Sequence, residues 1–335
     1  MIEKHVNLKP YNTFGIEVYA DAMARFSNVD ELTEILKAST YDSLLVLGGG
    51  SNLLLTQDFH GLVLKNEISG FSALEENDEF VIVEAGAGET WHEFVMTCIE
   101  KGYAGVENLS LIPGSVGASP MQNIGAYGTE IKHVFHQLKA YHIATGEIHD
   151  FDNEACHFGY RESVFKNIYK GQYIILSVAF KLSKSPKINT TYGAIEEELK
   201  QQNITNPTIR DVSNAVIAIR RSKLPDPKVI GNAGSFFKNP VVYEEVVDKI
   251  KLEYPDVPNY PAEEGKRKLA AGWLIEKAGW KGKTFETFGV HKLQALVLVN
   301  YGGSTGKQVF DLSSQIIADI ESKFGVTLER EVNML

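Results

Sequence analysis

Apolar residues along the chain follow two rhythms. Residues 43–47, 80–85, 173–181 and 295–300 are short runs dominated by Leu, Ile, Val, Ala and Phe, bounded by glycine, polar or charged positions, and they predict strands. Residues 90–101 predict an amphipathic helix that includes Cys98, with Thr90 and Glu93 spaced as a capping box and Gly102 as a stop. A turn at Thr191-Tyr192-Gly193 precedes a short helical stretch to about Lys200, and residues 201–206 form a polar connector. Asn206 and Pro207 predict the next helix, with asparagine at the cap and proline in the first turn, running to about Ser222. Helices follow near 242–251 and 269–278, then a long one from Thr305, on which Val309, Leu312, Ile316, Ile320 and Phe324 share a stripe. A final strand is expected to run through Glu331.

At about 150 residues per domain, a 335-residue chain predicts two domains, and the polar connector before Asn206 predicts where they divide. With 33 basic against 43 acidic residues the net charge is −10, which argues against bulk nucleic-acid or anionic-membrane binding. The first eighteen residues lack a signal-peptide pattern, and no apolar run approaches the ~20 residues of a membrane span, so a cytoplasmic location is expected. Cys98 and Cys156 are the two cysteines; neither a disulfide framework nor a cysteine-ligated metal site is predicted, and Cys98 reads as packing. His133, His136 and His157 are too sparsely accompanied to predict a metal centre.

Chemistry concentrates in three glycine-bearing segments. Gly48-Gly49-Gly50-Ser51-Asn52 follows a predicted strand and exposes backbone N–H groups that could cradle a pyrophosphate; a tight turn between strands is the bland alternative. Residues 112–128, Ile-Pro-Gly-Ser-Val-Gly-Ala-Ser-Pro-Met-Gln-Asn-Ile-Gly-Ala-Tyr-Gly, carry no charge at all and form a loop long enough to predict function, with a purely structural Ω-loop as the alternative. The two together point to a long dinucleotide held by backbone amides. The third segment, Gly231 through Pro240, presents Ser235, Lys238 and Asn239 beside two phenylalanines, which solvated loops seldom carry. Around it Arg220, Arg221, Lys223, Lys228 and Lys238 stand against a single acid, Asp226, and predict an anionic ligand.

Two familiar nucleotide motifs fail on their residues. Gly86-Ala87-Gly88 would begin a Rossmann fingerprint, but Trp91 occupies the place of its third glycine. Gly303-Ser304-Thr305-Gly306-Lys307 lacks the leading glycine and the magnesium-binding hydroxyl of a P-loop, and Thr305 reads as a helix cap.

In chain order, Asn12-Thr13-Phe14-Gly15, Gly50-Ser51-Asn52, Ile112-Pro113-Gly114, Gln122 through Gly128, Phe158-Gly159-Tyr160-Arg161, Lys223-Leu224-Pro225-Asp226-Pro227 and Gly231 through Pro240 resemble the UDP-N-acetylenolpyruvoylglucosamine reductases over nearly the whole chain. The segment around Tyr192 resembles the family's first type, which keeps a tyrosine loop over the substrate. The resemblance implies an α+β protein with a vanillyl-alcohol-oxidase-like (PCMH-type) FAD-binding region at 1–205, made of subdomains about 1–68 and 69–205, and a C-terminal α+β substrate-binding domain at 206–335. It implies non-covalent FAD, NADPH as co-substrate, UDP-N-acetylglucosamine enolpyruvate as substrate, no metal, no nucleic-acid partner, no membrane insertion, and a monomer active in peptidoglycan synthesis, hence in cell shape and division.

Carried over residue by residue, the catalytic group is Arg161, Ser235 and Glu331, with Ser235 as proton donor. Cofactor contacts fall on Gly48, Gly49, Gly50, Ser51 and Asn52, on Pro113, Gly114, Ser115, Gly117, Ser119, Asn123, Ile124, Gly125, Tyr127 and Gly128, and on Arg220. Substrate contacts fall on Tyr160, Tyr192, Lys223, Asn239, Tyr260, Lys268 and Gln294. Near its end the chain reads Glu329-Arg330-Glu331-Val332-Asn333 where the family often has Glu-Pro-Glu-Val-Arg, which puts the contacts of that arginine in doubt. Two other readings remain at this level: a same-fold flavin oxidase using oxygen, and a non-enzymatic nucleotide-binding regulator. Oxidases of that fold often attach flavin through His or Cys, and neither residue occurs in 48–52 or 113–128.

Overall fold

The strand Tyr173–Ser183 is mostly apolar because it is covered on both faces. The computed structural model of the chain, which describes residues 2–335, places it centrally in an antiparallel sheet of order Ile148–Asp152, Phe135–His142, Tyr173–Ser183, Phe80–Gly86, Phe71–Glu76. Ile175, Val178, Phe180 and Leu182 pack into one buried cluster with Trp91, Phe94, Val95, Cys98 and Ile99 of the helix Trp91–Glu100. Ile174 and Leu176 face the other way, into a cluster with Ala22, Ala24, Phe26, Leu62 and Leu64 of a second sheet. That sheet has the order Ile2–Asn7, Tyr19–Phe26, Phe59–Asn66, Leu44–Leu47. A register shift between Lys139 and Ala140, opposite Ser177 and Ile175, accounts for the break in alternation along the central strand.

These elements belong to one compact unit made of the segment ending at Val6, Ala20–Gly49 and His60–Ser222. A second unit comprises Asn7–Tyr19, Gly50–Phe59 and Lys223–Leu335. The sequence predicted contiguous domains meeting at 205/206; the chain instead divides at 222/223 and sends two short early segments to the second unit. Packing gives the reason: Val212, Ala215, Val216 and Ile219 of the helix Ile209–Lys223 are buried with Ile195 and Leu199 of the helix Gly193–Gln201.

Within the second unit, Val241–Tyr243, Lys266–Leu269 and Asn259–Pro261 form one antiparallel sheet, in that order. Thr284–Phe285, Phe288–Val290 and Leu298–Asn300 form another. The helices are Glu244–Lys251, Ala271–Lys277 and Gly306–Phe324. On the last, all five residues of the predicted stripe are buried, and Thr305 and Gln308 cap it reciprocally, as expected.

Three local expectations need correction. Thr90 makes no side-chain cap, because the Trp91 N–H donates to the Gly114 carbonyl at 3.0 Å and a neighbouring loop does the cap's work. The helix predicted from Asn206 begins at Ile209, with Thr208 and Asp211 exchanging hydrogen bonds at its start, a stronger local bond set than the asparagine and proline could make. The terminal strand lies at Asn333–Met334, parallel to Leu53–Leu54, and Glu331 precedes it.

Candidate active site

In the first unit, Gly48 and Gly49 of the first predicted cofactor loop meet the second loop. A Cβ built on Gly49 would lie 2.8 Å from the Gly114 Cα, and one on Gly48 would collide with the Ser115 hydroxyl. At Gly49 backbone therefore touches backbone, which is why that position takes glycine. The approach also gathers donors: among the described residues, no acceptor in the chain pairs with the N–H groups of Gly48, Gly49, Gly114 or Ser115. Lys65, from the strand Phe59–Asn66, donates from Nζ to the Gly48 carbonyl at 2.5 Å. Burial pushes the Lys65 pKa down, and Glu67 opposes the shift. Unpaired N–H groups beside such a cation make a nest suited to a pyrophosphate. Lys65 escaped the sequence reading, though it is the one charged residue in the strand and pairs in register with Leu47, the residue before the loop.

Residues 112–128 are more ordered than a long loop. Val116–Gln122 is a 3-10 helix and Gly125–Ala126 pairs with Thr129–Glu130. Ser119 and Asn123, both buried, are occupied in building it. The Ser119 hydroxyl donates to the Val116 carbonyl at 2.7 Å. The Asn123 carboxamide donates to Glu130 Oε2 and to the Gly159 carbonyl, each at 3.0 Å, and accepts the Lys132 N–H at 3.1 Å. Ile124 packs against the large core cluster, Gly117 sits against Ala87, and Pro113 and Gly128 lie at the surface. Asn108, a second residue the sequence reading missed, donates to the carbonyls of Tyr127 and Asn189 at 3.1 and 3.0 Å. Tyr127, in the left-handed region at φ 51°, stacks edge-on against Tyr192 at 5.1 Å.

Arg220, on the helix Ile209–Lys223, meets the Tyr127 hydroxyl, and burial pulls its pKa below the usual arginine value. Its buried Nε has no hydrogen-bond partner. A buried cationic donor left unsatisfied is costly. The nest and this orphaned donor, both in the first unit, fit the anionic and polar parts of a dinucleotide.

Arg161 also belongs to the first unit. It occupies the left-handed region at φ 58°, in a turn closed by a Gly159–Glu162 bridge. Its Nη2 donates to the Gly125 carbonyl at 2.7 Å, and its guanidinium lies over the Tyr160 ring at 5.2 Å. The strained backbone aims an arginine fork back at the second glycine loop.

In the second unit, Gly234 at φ 70° turns the chain into a short extended segment flanked on both sides. Ser235 bridges to Val297 and the Phe236 N–H donates to the Leu296 carbonyl at 2.7 Å. On the opposite edge, the Glu331 N–H donates to the Phe236 carbonyl at 2.8 Å and Phe237 bridges to Arg330. Phe236 and Phe237 are buried, each worth roughly 2–3 kcal/mol, which explains the paired aromatics and fixes the segment. Ser235 and Glu331, 96 positions apart by 331 − 235, are thereby held on neighbouring backbone. Lys238, itself buried, donates to Glu329 Oε1 at 2.5 Å.

The remaining predicted substrate residues divide by what they do. The Asn239 carboxamide oxygen accepts the Ala271 N–H at 3.0 Å and caps a helix, and the Gln294 oxygen accepts the Leu296 N–H at 3.3 Å. Tyr260 is exposed and paired across the sheet with Lys268. Lys223 ends its helix at the surface. Among the described residues, no group of three or more His, Cys, Asp or Glu could hold a metal.

Comparison with known proteins gives this geometry a family. Residues 226–335 match the model for the UDP-N-acetylenolpyruvoylglucosamine reductase C-terminal domain, and residues 20–152 match an FAD binding domain. The UDP-N-acetylenolpyruvoylglucosamine reductase of Flavobacterium johnsoniae is 51% identical over 335 residues, covering 100% of this chain and 99% of the relative. That of Pseudomonas syringae pv. tomato is 53% identical, covering 99% of this chain and 98% of the relative. The chain belongs to the UDP-N-acetylenolpyruvoylglucosamine reductase family. It is an oxidoreductase with an FAD-binding region. A crystal structure of UDP-N-acetylenolpyruvylglucosamine reductase from Thermus caldophilus, 22% identical, covers 100% of this chain and 98% of that one at a TM-score of 0.69. The reductase fold predicted from the motif order, α+β with a PCMH-type FAD-binding region and a C-terminal domain, is the fold observed.

Proposed function

We propose that the chain reduces UDP-N-acetylglucosamine enolpyruvate to UDP-N-acetylmuramate with NADPH, through non-covalently bound FAD, as a cytoplasmic step of peptidoglycan synthesis. The observation that supports this most directly is the nest of unpaired N–H groups at Gly48, Gly49, Gly114 and Ser115, because its chemistry suits a pyrophosphate without a Rossmann turn or a P-loop lysine. Gly50, Ser51, Asn52, Gly125, Tyr127 and Arg220 complete the cofactor contacts in this reading. When bound in this cradle, FAD would supply the hydride chemistry, drawing on NADPH and delivering to the enolpyruvyl methylene carbon.

Carbanion character then develops at the adjacent carbon, conjugated with the substrate carboxylate. Ser235 donates its hydroxyl proton to that carbon. A serine is a weak acid, but a carbanion is a strong base, and the Lys223 ammonium offsets the alkoxide left behind. Arg161 presents its planar fork to the developing enediolate. A bare Glu331 carboxylate would repel the substrate's own, so Glu331 acts through a shared proton. Tyr160, Tyr192, Asn239, Tyr260, Lys268 and Gln294 hold the UDP-sugar, tyrosine faces against the rings and lysine against the diphosphate.

The test is an anaerobic titration of the purified yellow protein. NADPH is expected to bleach the flavin, and the enolpyruvyl substrate to restore its colour stoichiometrically. Bleaching without reoxidation by that substrate would overturn the substrate assignment, and a colourless protein that binds no FAD would overturn the whole reading.

A further inference from the structure

Three consecutive residues just before the second glycine loop are each held from a different direction in the first unit. The Leu109 carbonyl accepts from Trp91 Nε1 at 2.9 Å. The Ser110 hydroxyl meets the Ser213 hydroxyl at 2.7 Å. The Leu111 N–H donates to His92 Nδ1 at 3.0 Å. Leu111 is a non-glycine residue at φ 59°, a conformation that persists only where its surroundings enforce it. The next residues enter the segment whose Gly114 and Ser115 line the nest.

We propose that His92, as a neutral imidazole, is a positioning residue that clasps Leu111 and sets the 112–128 loop for FAD, so that cofactor affinity falls when this imidazole is protonated. Of the three holders it is the only one that titrates near neutrality. To accept the Leu111 N–H, Nδ1 must be unprotonated, which places the remaining proton on Nε2. An imidazolium would turn a donor toward a donor and break the clasp.

The surrounding charges favour the neutral form. Burial lowers the His92 pKa first, Arg221 and Arg220 from the helix Ile209–Lys223 lower it further, and Glu93 on its own helix opposes them. The loop itself carries no charged residue between Asn108 and Gly128. The clasp is thus closed at neutral pH and opens on acidification below the ordinary histidine value of 6.5.

The inference rests on the FAD-binding reading, and the experiment separates the two. FAD affinity of stripped protein is measured by flavin fluorescence quenching between pH 5 and 8 for the wild type, His92→Asn and His92→Phe, with near-UV circular dichroism confirming the fold of each. The wild type is expected to lose about tenfold in affinity across the His92 titration, the scale of one broken hydrogen bond to a strained amide. Asparagine keeps an acceptor that does not titrate, so His92→Asn should hold near-neutral affinity at both extremes. His92→Phe should be weak at every pH.

A second readout does not depend on any variant folding. If FAD selects the neutral imidazole, binding must lower the His92 pKa by the reciprocal amount, visible in an NMR titration with and without FAD. Wild-type affinity that does not change with pH, or a His92 pKa unmoved by FAD, overturns the clasp. Failure of the wild type to bind FAD at any pH overturns the FAD reading instead.

Discussion

Asn52 and Glu331 are joined through the backbone: the Asn52 carboxamide donates to the Glu331 carbonyl at 3.3 Å. Asn333 answers it, donating to the Asn52 carbonyl from its backbone N–H at 3.1 Å and from its side chain at 3.0 Å. The last residue of the Gly-Gly-Gly-Ser-Asn loop and the candidate acid thus share one hydrogen-bonded set in the second unit. Asn333 stands where the family often has arginine, and the structure gives it this work. Asn333→Ala removes the side-chain donor and leaves the backbone bond. It should cost about 0.5–1.5 kcal/mol of stability in urea unfolding and leave NADPH bleaching of the flavin intact. A loss confined to the NADPH step would contradict this account.

Gly49→Ala tests the meeting of the two loops. Its Cβ would stand 2.8 Å from the Gly114 Cα, and the obstacle is backbone that cannot rotate aside. The loops must separate, and the nest widens with them. The expected outcome is a protein that folds but purifies with substoichiometric FAD, with affinity lowered by a factor on the order of ten or more. Retention of full colour through gel filtration would show that the nest tolerates the gap.

Ser235→Ala separates the two half-reactions. Removing the proton donor should slow reoxidation by the enolpyruvyl substrate by roughly 100- to 10,000-fold, the usual worth of general acid catalysis, while NADPH bleaches the flavin at the wild-type rate. Glu331→Gln should show the same asymmetry in stopped-flow traces. Equal losses in both half-reactions would give Glu331 a structural role only.

How far the sequence could be read is set by what local chemistry encodes. The long helix beginning after Thr305 was legible to its cap, because a reciprocal Thr305–Gln308 box and one apolar stripe are local facts. The glycine loops were legible as runs of small, uncharged residues for the same reason. Their mutual contact was not, since Gly49 against Gly114 is a tertiary approach that no spacing announces. Lys65, Asn108 and His92 were missed because each acts on backbone far along the chain. Asn123 and Ser119 show the converse: motif positions whose polar side chains are engaged in holding the loop's own shape. The division at 222/223 was hidden because helix Ile209–Lys223 looks like the start of a domain and packs as the end of one.

Arg330 separates positioning from chemistry at the candidate acid. It sits between Glu329 and Glu331, yet its guanidinium grips the helix Gly306–Phe324: Nε donates to Ser313 Oγ at 2.8 Å and Nη2 to Ser314 Oγ at 2.6 Å, over the Phe310 ring at 4.5 Å. On the other side of the segment, Lys238 pairs with Glu329. Glu331 therefore follows a residue pinned to a rigid helix. Arg330→Met keeps much of the contact with Phe310 but loses both serine bonds, so it should lower kcat more than it raises KM, with FAD content unchanged. Arg330→Lys, able to make one of those bonds, should recover part of the loss. Steady-state kinetics of the two variants decide the matter: a rise in KM alone would place Arg330 in substrate binding, whereas a partial rescue of kcat by lysine is what a clamp behind Glu331 requires.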